Sequence, residues 1–171
     1  LNLPARIALV GFMGAGKTTV GRLLADRIGY AFVDSDDEIE RRTGARVGEI
    51  FERHGEAWFR KREEEVLSDL LRLSGRVIAT GGGAFAQPAC AEELLSRSFT
   101  VHLSCDFEEA FRRAAAPGER PLIENGELNV ASLYAERKDK YSRAHETVDT
   151  THRSPEQVVT EVLRLLSAPR T

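Results

Sequence analysis

Cysteine is scarce in this chain of 171 residues: Cys90 and Cys105 are the only two. They form no C-x-x-C pair and have no histidine at zinc-ligand spacing, so neither a disulfide framework nor a structural zinc is expected. They read as two reduced, partly buried thiols of a cytoplasmic protein. Lysine is scarce too. Of the 24 cationic residues only Lys17, Lys61, Lys138 and Lys140 are lysines, and the other 20 are arginines. Most of that excess fits GC-rich codon usage, which leaves Lys17 as an exception that needs a reason. No apolar run approaches the ~20 residues of a membrane span. Residues 1–6 hold no basic stretch leading into a long apolar one, so no secretory leader is expected. There is no repeat and no low-complexity tract. A net charge of −3 argues against broad nucleic-acid binding. The remaining composition, 42% hydrophobic and 30% charged, is that of an ordinary soluble domain. A domain of this size buries about 70% of its unfolded surface and needs no staple.

Short apolar runs alternate with helical patterns. Strands are predicted at Arg6–Gly11, Tyr30–Val33, Arg76–Thr80 and Phe99–Ser104, with a short last one at Thr147–Thr150. Helices are predicted at Lys17–Gly29, Asp37–Arg42, Glu56–Ser74, Pro88–Ser96, Asp106–Ala115, Asn129–Glu146 and from Pro155 onward. The alternation implies an α/β domain, a parallel sheet with helices on both faces. Between Ala116 and Gly126 the periodicity stops, and Pro117, Gly118, Pro121 and Gly126 give a loop composition typical of a lid.

Gly11-Phe-Met-Gly-Ala-Gly-Lys17-Thr18 matches G-x-x-x-x-G-K-[ST], and it sits after a predicted strand and opens a predicted helix. Glycines let backbone N–H groups turn inward around phosphate oxygens. The helix that follows points its positive dipole end at the anion. Lys17 can reach the β and γ phosphates, and Thr18 can ligate Mg²⁺. No Asn-Lys-x-Asp motif is present to read guanine, because asparagine occurs only at positions 2, 125 and 129. That favours ATP.

A second carboxylate usually helps to hold the metal in such sites. The second predicted strand runs into Asp34-Ser35-Asp36, and in an extended chain residues two apart face the same side. Both acids can therefore face the phosphate loop, although Asp36 is also a natural helix cap before Asp37-Glu38. On the long helix, Glu63 falls on the apolar stripe, where a lone carboxylate is costly. Arg60, three residues earlier, is within reach and would be held in place to bind an anionic substrate. Phe51 and Phe59 could wall that pocket or simply be core. Gly81-Gly82-Gly83 would let a substrate approach the backbone closely. Arg120, beside Pro121 in the loop, could offset transferred-phosphoryl charge. Arg137 lies on the helix after the loop.

Taken together, GFMGAGKTTVGRLLA, VDSDDEIE, FRKREEEVL, ATGGGAF, ERPLI and AERKDKYSRA resemble shikimate kinases, of the nucleoside-monophosphate-kinase-like P-loop fold. The resemblance spans about residues 6–166. It implies a three-layer fold with a five-stranded parallel sheet, one domain over residues 1–171, a substrate-binding region near 35–63 and a lid near 112–126. It implies transfer of the ATP γ-phosphoryl to the 3-hydroxyl of shikimate, with Mg²⁺, in the route to chorismate. By motif, Gly14, Ala15, Gly16, Lys17, Thr18 and Thr19 would bind phosphates. Thr18 and Asp34 would serve the metal, and Asp36 the acceptor hydroxyl as candidate base. Arg60 and Arg137 would clamp the shikimate carboxylate, and Gly82, flanked by Gly81 and Gly83, would contact substrate through its backbone. Arg120 would touch phosphate as the lid arginine. Arg113 and the turn from Arg153 to Pro155 would flank adenine. A monomer with no nucleic-acid or membrane partner is expected. One departure is that Lys138-Asp-Lys-Tyr141 stands where the family often has Pro-Leu-Tyr, which loosens the register of Arg137. A kinase for another hydroxy acid such as gluconate, a nucleoside monophosphate kinase and a silent ATP-binding module remain rival readings.

Overall fold

The first apolar run becomes the middle of a sheet. β1 (Arg6–Val10) carries Ile7, Ala8, Leu9 and Val10, all fully buried, as a strand covered on both faces must. It is flanked by β3 (Arg76–Ala79) and β4 (Phe99–Ser104), with β2 (Ala31–Asp34) and β5 (Glu146–Asp149) outside them. The order is β2-β3-β1-β4-β5 and every pairing is parallel. The computed structural model describes residues 3–115 and 127–168, with residues 127 and 128 by backbone alone.

Alternation along the strands makes two cores. Ile7, Leu9 and Val77 face α1 (Lys17–Ile28) and α7 (Pro155–Ser167), which contribute Val20, Leu24, Val158, Val159, Val162 and Leu166. Ala8, Val10 and Ile78 face the other side. There they meet α3 (Val47–Leu70), α4 (Pro88–Arg97) and α6 (Glu127–Tyr141) through Phe59, Val66, Leu67, Cys90, Leu94, Val130 and Tyr141. α2 (Ser35–Thr43) adds Ile39 to this second core, and α5 (Phe107–Ala114) follows β4. Among the described residues no helix is long and apolar enough to cross a membrane.

Several boundaries differ from the sequence reading, each for a local reason. α2 begins at Ser35 rather than Asp37, because the Asp34 carboxylate caps it by accepting from the Asp36 N–H at 2.9 Å. Asp36 is thus helical, not the end of a strand, and it is not the cap. α3 begins at Val47, ahead of the predicted Glu56. It is two helical pieces joined at Gly55, whose backbone (φ 79°, ψ 174°) is open essentially to glycine alone. It stops at Leu70 instead of Ser74, since Gly75 is already bonded to Ala5 and Ala31 at the entry to β3. α6 ends at Tyr141, five residues before the predicted Glu146. There the His145 N–H donates to Thr100 Oγ1 and draws the chain onto the sheet edge.

Candidate active site

The carboxyl ends of β1, β2 and β3 meet at one place on the sheet edge. From β1 the chain turns through the glycine-rich loop into α1. Gly14 takes a left-handed backbone (φ 76°), and a Cβ there would lie 2.1 Å from the Ala110 carbonyl of α5, so no other residue fits. Ala15 is buried and Gly16 precedes α1 as its N-cap. Lys17, Thr18 and Thr19 form the helix's first turn, where N–H groups lack intrahelical partners. Lys17 is buried, and its Nζ donates to the Gly11 and Phe12 carbonyls at 2.8 and 2.9 Å. A buried ammonium tied to the loop's own carbonyls puts a fixed positive charge under the phosphate cradle.

The two acids after β2 go to different neighbours. Thr18 Oγ1 donates to Asp34 Oδ2 at 2.7 Å, joining the phosphate loop to the end of β2. A hydroxyl and a carboxylate side by side are an all-oxygen pair of the kind that suits Mg²⁺, which keeps most of its shell as water and phosphate. Among the described residues no cluster of three or more His, Cys, Asp or Glu could hold an ion alone. Asp36, two residues on, lies against the end of β3: a Cβ on Gly81 would lie 2.7 Å from its Oδ1.

Two of the three glycines after β3, Gly81 and Gly83, therefore have a steric reason. None of Gly81, Gly82 and Gly83 has a positive φ, so turn geometry does not demand them. Space does. A Cβ on Gly81 would also lie 2.8 Å from Glu63 Oε1, and one on Gly83 would lie 2.5 Å from Arg60 Nη2. At Gly82 the nearest atoms are more distant, with Arg137 Nη1 at 3.7 Å. The close approach expected of a substrate is thus made by side chains of the protein at Gly81 and Gly83.

Four charged groups converge on this strip. Glu63 is fully buried and accepts from Arg60 Nη1 at 2.7 Å. Burial pushes its carboxyl up, against the pull of Arg60. Its Oε1 accepts no hydrogen bond among the described residues. Burial works against the charge on Arg60, but Glu63 and Glu56 outweigh it and hold the guanidinium protonated. Arg60 also lies over the Phe59 ring, which packs against Phe51 at 4.7 Å. Arg137 is buried on α6 next to Gly82. Two guanidinium groups and two carboxyl groups thus meet at the glycine strip, with Asp36 and Glu63 against Gly81, Arg60 against Gly83 and Arg137 beside Gly82.

The other residues singled out from sequence lie on the far side of the loop or elsewhere. Arg113 braces the phosphate loop from α5: Nε bonds Glu109, Nη1 reaches the Gly14 carbonyl at 3.5 Å and Nη2 the Thr150 carbonyl at 3.0 Å. Arg153 donates to the Asp149 and Gln157 carbonyls of its own turn, and Pro155 opens α7 behind the Ser154 cap. Arg120 lies outside the described residues, as does most of the predicted lid. A separate cleft of about 460 Å³ between α2 and α3, lined by Arg42, Arg53, Trp58 and Arg62 among others, contains none of these site residues.

Sequence reasoning missed Ser35, Tyr141 and His102. Ser35 Oγ accepts from the Gly81 N–H at 3.0 Å, and the Tyr141 hydroxyl donates to the Gly82 carbonyl. Tyr141 could have been found, since it lies one helical turn after Arg137. His102 gives no local signal; only the fold stacks it on Tyr141, at 5.0 Å.

Comparison with known proteins bears on this arrangement. The family model described as shikimate kinase matches residues 13–167. The shikimate kinase of Thiobacillus denitrificans is 48% identical over 149 residues, covering 85% of this chain and 81% of that protein. That of Acinetobacter baylyi is 44% identical over 163 residues, covering 94% and 91%. A solved structure of shikimate kinase from Acinetobacter baumannii in complex with shikimate superposes with a TM-score of 0.91 at 43% identity, covering 96% of this chain and 93% of that one.

Proposed function

The chain belongs to the shikimate kinase family, ATP-dependent kinases of a small molecule, and from that premise we propose how its residues divide the reaction. The observation that carries the reading is the packing of Asp36, Arg60, Glu63 and Arg137 around Gly81–Gly83, one strand away from the phosphate loop.

ATP is the donor, bound through the N–H groups of residues 14–19 with Lys17 as the fixed charge beneath the β and γ phosphates. Arg113 and the turn from Arg153 to Pro155 border the nucleotide's base. Thr18 and Asp34 would hold Mg²⁺, which when bound offsets charge on the β and γ oxygens. Shikimate lies over the glycine strip, within the region near 35–63. Arg60 and Arg137 grip its carboxylate, because two planar guanidinium forks fix a carboxylate's direction as well as its charge. Glu63, with Glu56 on the other side, orients Arg60. Gly82 offers the ring its backbone, and Phe59 with Phe51 supplies the apolar wall.

Asp36 orients the 3-hydroxyl and accepts its proton as the new bond to the γ-phosphorus forms and the bond from that phosphorus to the β–γ bridging oxygen breaks, with ADP leaving. In phosphoryl transfer, position and charge stabilisation carry most of the barrier reduction. Arg120, on the segment near 112–126, completes the charge around the transferred group, and closing that segment excludes water so that ATP is not hydrolysed. The whole chain acts as one domain.

A coupled assay of ADP release with shikimate, gluconate and AMP as acceptors tests the acceptor. Turnover with shikimate alone is expected; equal turnover with gluconate would overturn the choice of acceptor, and equal turnover with AMP, which has no carboxylate, would overturn the clamp. Asp36→Asn tests the base: kcat should collapse while ATP affinity holds, and near-normal turnover would remove Asp36 from the chemistry.

A further inference from the structure

The peptides of the glycine strip are each held by something different. The Gly81 carbonyl accepts from the Ala84 N–H at 3.1 Å, and the Gly83 carbonyl accepts from the Ala86 N–H at 3.2 Å. Both are bonds of the short helical turn that follows. The carbonyl between them, on Gly82, accepts from the hydroxyl of Tyr141, on a different element 59 positions along the chain. A carbonyl and the next N–H share one rigid plane. Tyr141 therefore sets the orientation of the Gly82–Gly83 peptide.

The same hydroxyl has a charged neighbour. Arg137 stands one turn earlier on α6, where its charge acts on the Tyr141 phenol, and its Nη1 borders Gly82. A phenol donates one hydrogen bond. Tyr141 gives that bond to the carbonyl of the very glycine that Arg137 borders. Its ring is buried and stacks on His102 of β4 at 24° to it. Burial and the nearby Lys17 hold that imidazole down to about 4, so the stacking partner is neutral. Burial also pushes the phenol up to about 12, so the hydroxyl keeps its proton.

We propose that Tyr141 is a positioning residue for the acceptor half of the reaction, its hydroxyl holding the Gly82–Gly83 peptide in place beside Arg137. This rests on the reading of Arg137 as part of the carboxylate clamp. Without the hydroxyl, the peptide would lose its fixed place next to the arginine, and shikimate would meet a looser frame. The phosphate loop would be unaffected, since Tyr141 bonds to none of it.

The test is a double-mutant cycle on Tyr141→Phe and Arg137→Ala, with KM for both substrates and kcat measured in each variant. Tyr141→Phe is expected to raise the shikimate KM by up to about tenfold, the value of one hydrogen bond, with the ATP KM within about twofold. On the Arg137→Ala background the same change should cost far less. If Arg137→Ala raises the shikimate KM while Tyr141→Phe does not, or lowers activity toward both substrates in parallel, the role of Tyr141 is overturned and the clamp stands. If Arg137→Ala itself leaves the shikimate KM unchanged, the clamp falls and this role with it. Should Tyr141→Phe fold poorly, 4-fluorophenylalanine at position 141 keeps the ring and fills the hydroxyl's place but donates no hydrogen bond. The shikimate KM should then rise without the ATP KM, and an unchanged pair would overturn the proposal.

Discussion

Gly83→Ala isolates the position of one guanidinium. The backbone of Gly83 (φ −94°, ψ −11°) is one any residue adopts, so alanine brings no conformational strain. The methyl would instead lie 2.5 Å from Arg60 Nη2 and 2.7 Å from Nη1. Ordinary contact begins near 3.4 Å, so the head of Arg60 must retreat by roughly 0.9 Å. Its bond to Glu63 at 2.7 Å, on a carboxylate that is itself fully buried, limits where it can go. Because the obstacle is the end of a long side chain, the fold should absorb it. A Gly-to-Ala change in a compatible conformation gains about 0.4–1 kcal/mol from the unfolded state, which offsets the crowding. Stability should stay within about 1 kcal/mol of the parent. Acceptor recognition should not survive so well. A misplaced charge-assisted hydrogen bond costs about 1.5–3 kcal/mol, or about 10- to 150-fold in kcat/KM for shikimate. The ATP KM should hold. The assay is ADP release at varied shikimate and saturating ATP, beside a thermal melt. A kcat/KM for shikimate within about twofold of the parent, with the melt unchanged, would refute the placement of Arg60 in the clamp.

Gly55→Ala is the converse case, since a Cβ there meets nothing within 4 Å but the backbone lies in glycine's own region. It should cost about 1–3 kcal/mol in a denaturant titration, and an unchanged midpoint would mean the break tolerates a side chain. Asp34→Asn keeps an oxygen to cap α2 but removes the charge beside Thr18. The Mg²⁺ needed for half-maximal activity should rise with little loss of stability, whereas Asp34→Ala should also lose about 1 kcal/mol of capping. A Mg²⁺ response equal to the parent's in both variants would exclude Asp34 from the metal site. Hydrogen bonds from Arg41 and Arg42 hold the Glu38 carboxyl down at about 2, against 4.5 when unpaired. A lowered carboxyl stabilises fully above the unfolded value and loses that contribution as pH falls through the folded one. Glu38→Gln should therefore flatten the decline of stability between about pH 4.5 and 2, and parallel profiles would refute the pairing.

What could be read from sequence was what is local. The phosphate loop is a contiguous motif between a strand and a helix, and Arg60 with Glu63 is an i,i+3 pair on an apolar stripe. Asp34 and Asp36 were both singled out, but the argument from strand alternation does not describe them. One caps the helix that contains the other, and they face different partners. The first piece of α3 was invisible because Gly48 and Gly55 interrupt it and Ile50 and Phe51 give too little periodicity. The overrun of α6 and the silence about His102 share a cause, which is that β4 acts on both from across the sheet. The three glycines were noticed for the right rarity, yet the neighbours that require them at Gly81 and Gly83 are Asp36, Glu63 and Arg60, residues far away in sequence.

The break at Gly55 gives the protein a seam for redesign. The inner piece of α3 carries Phe59, Arg60 and Glu63 and is seated on the sheet by Val66, Leu67 and Leu70. The outer piece carries Phe51 and leans on α2. A graft that exchanged residues 47–54 but kept Ile50, which fills the core, would reshape the wall proposed for the acceptor's ring. It would leave in place Arg60 and the phosphate loop. Acceptor preference among hydroxy acids could thus drift, by selection or by engineering, through a short cassette tied to the rest of the fold chiefly by one buried side chain.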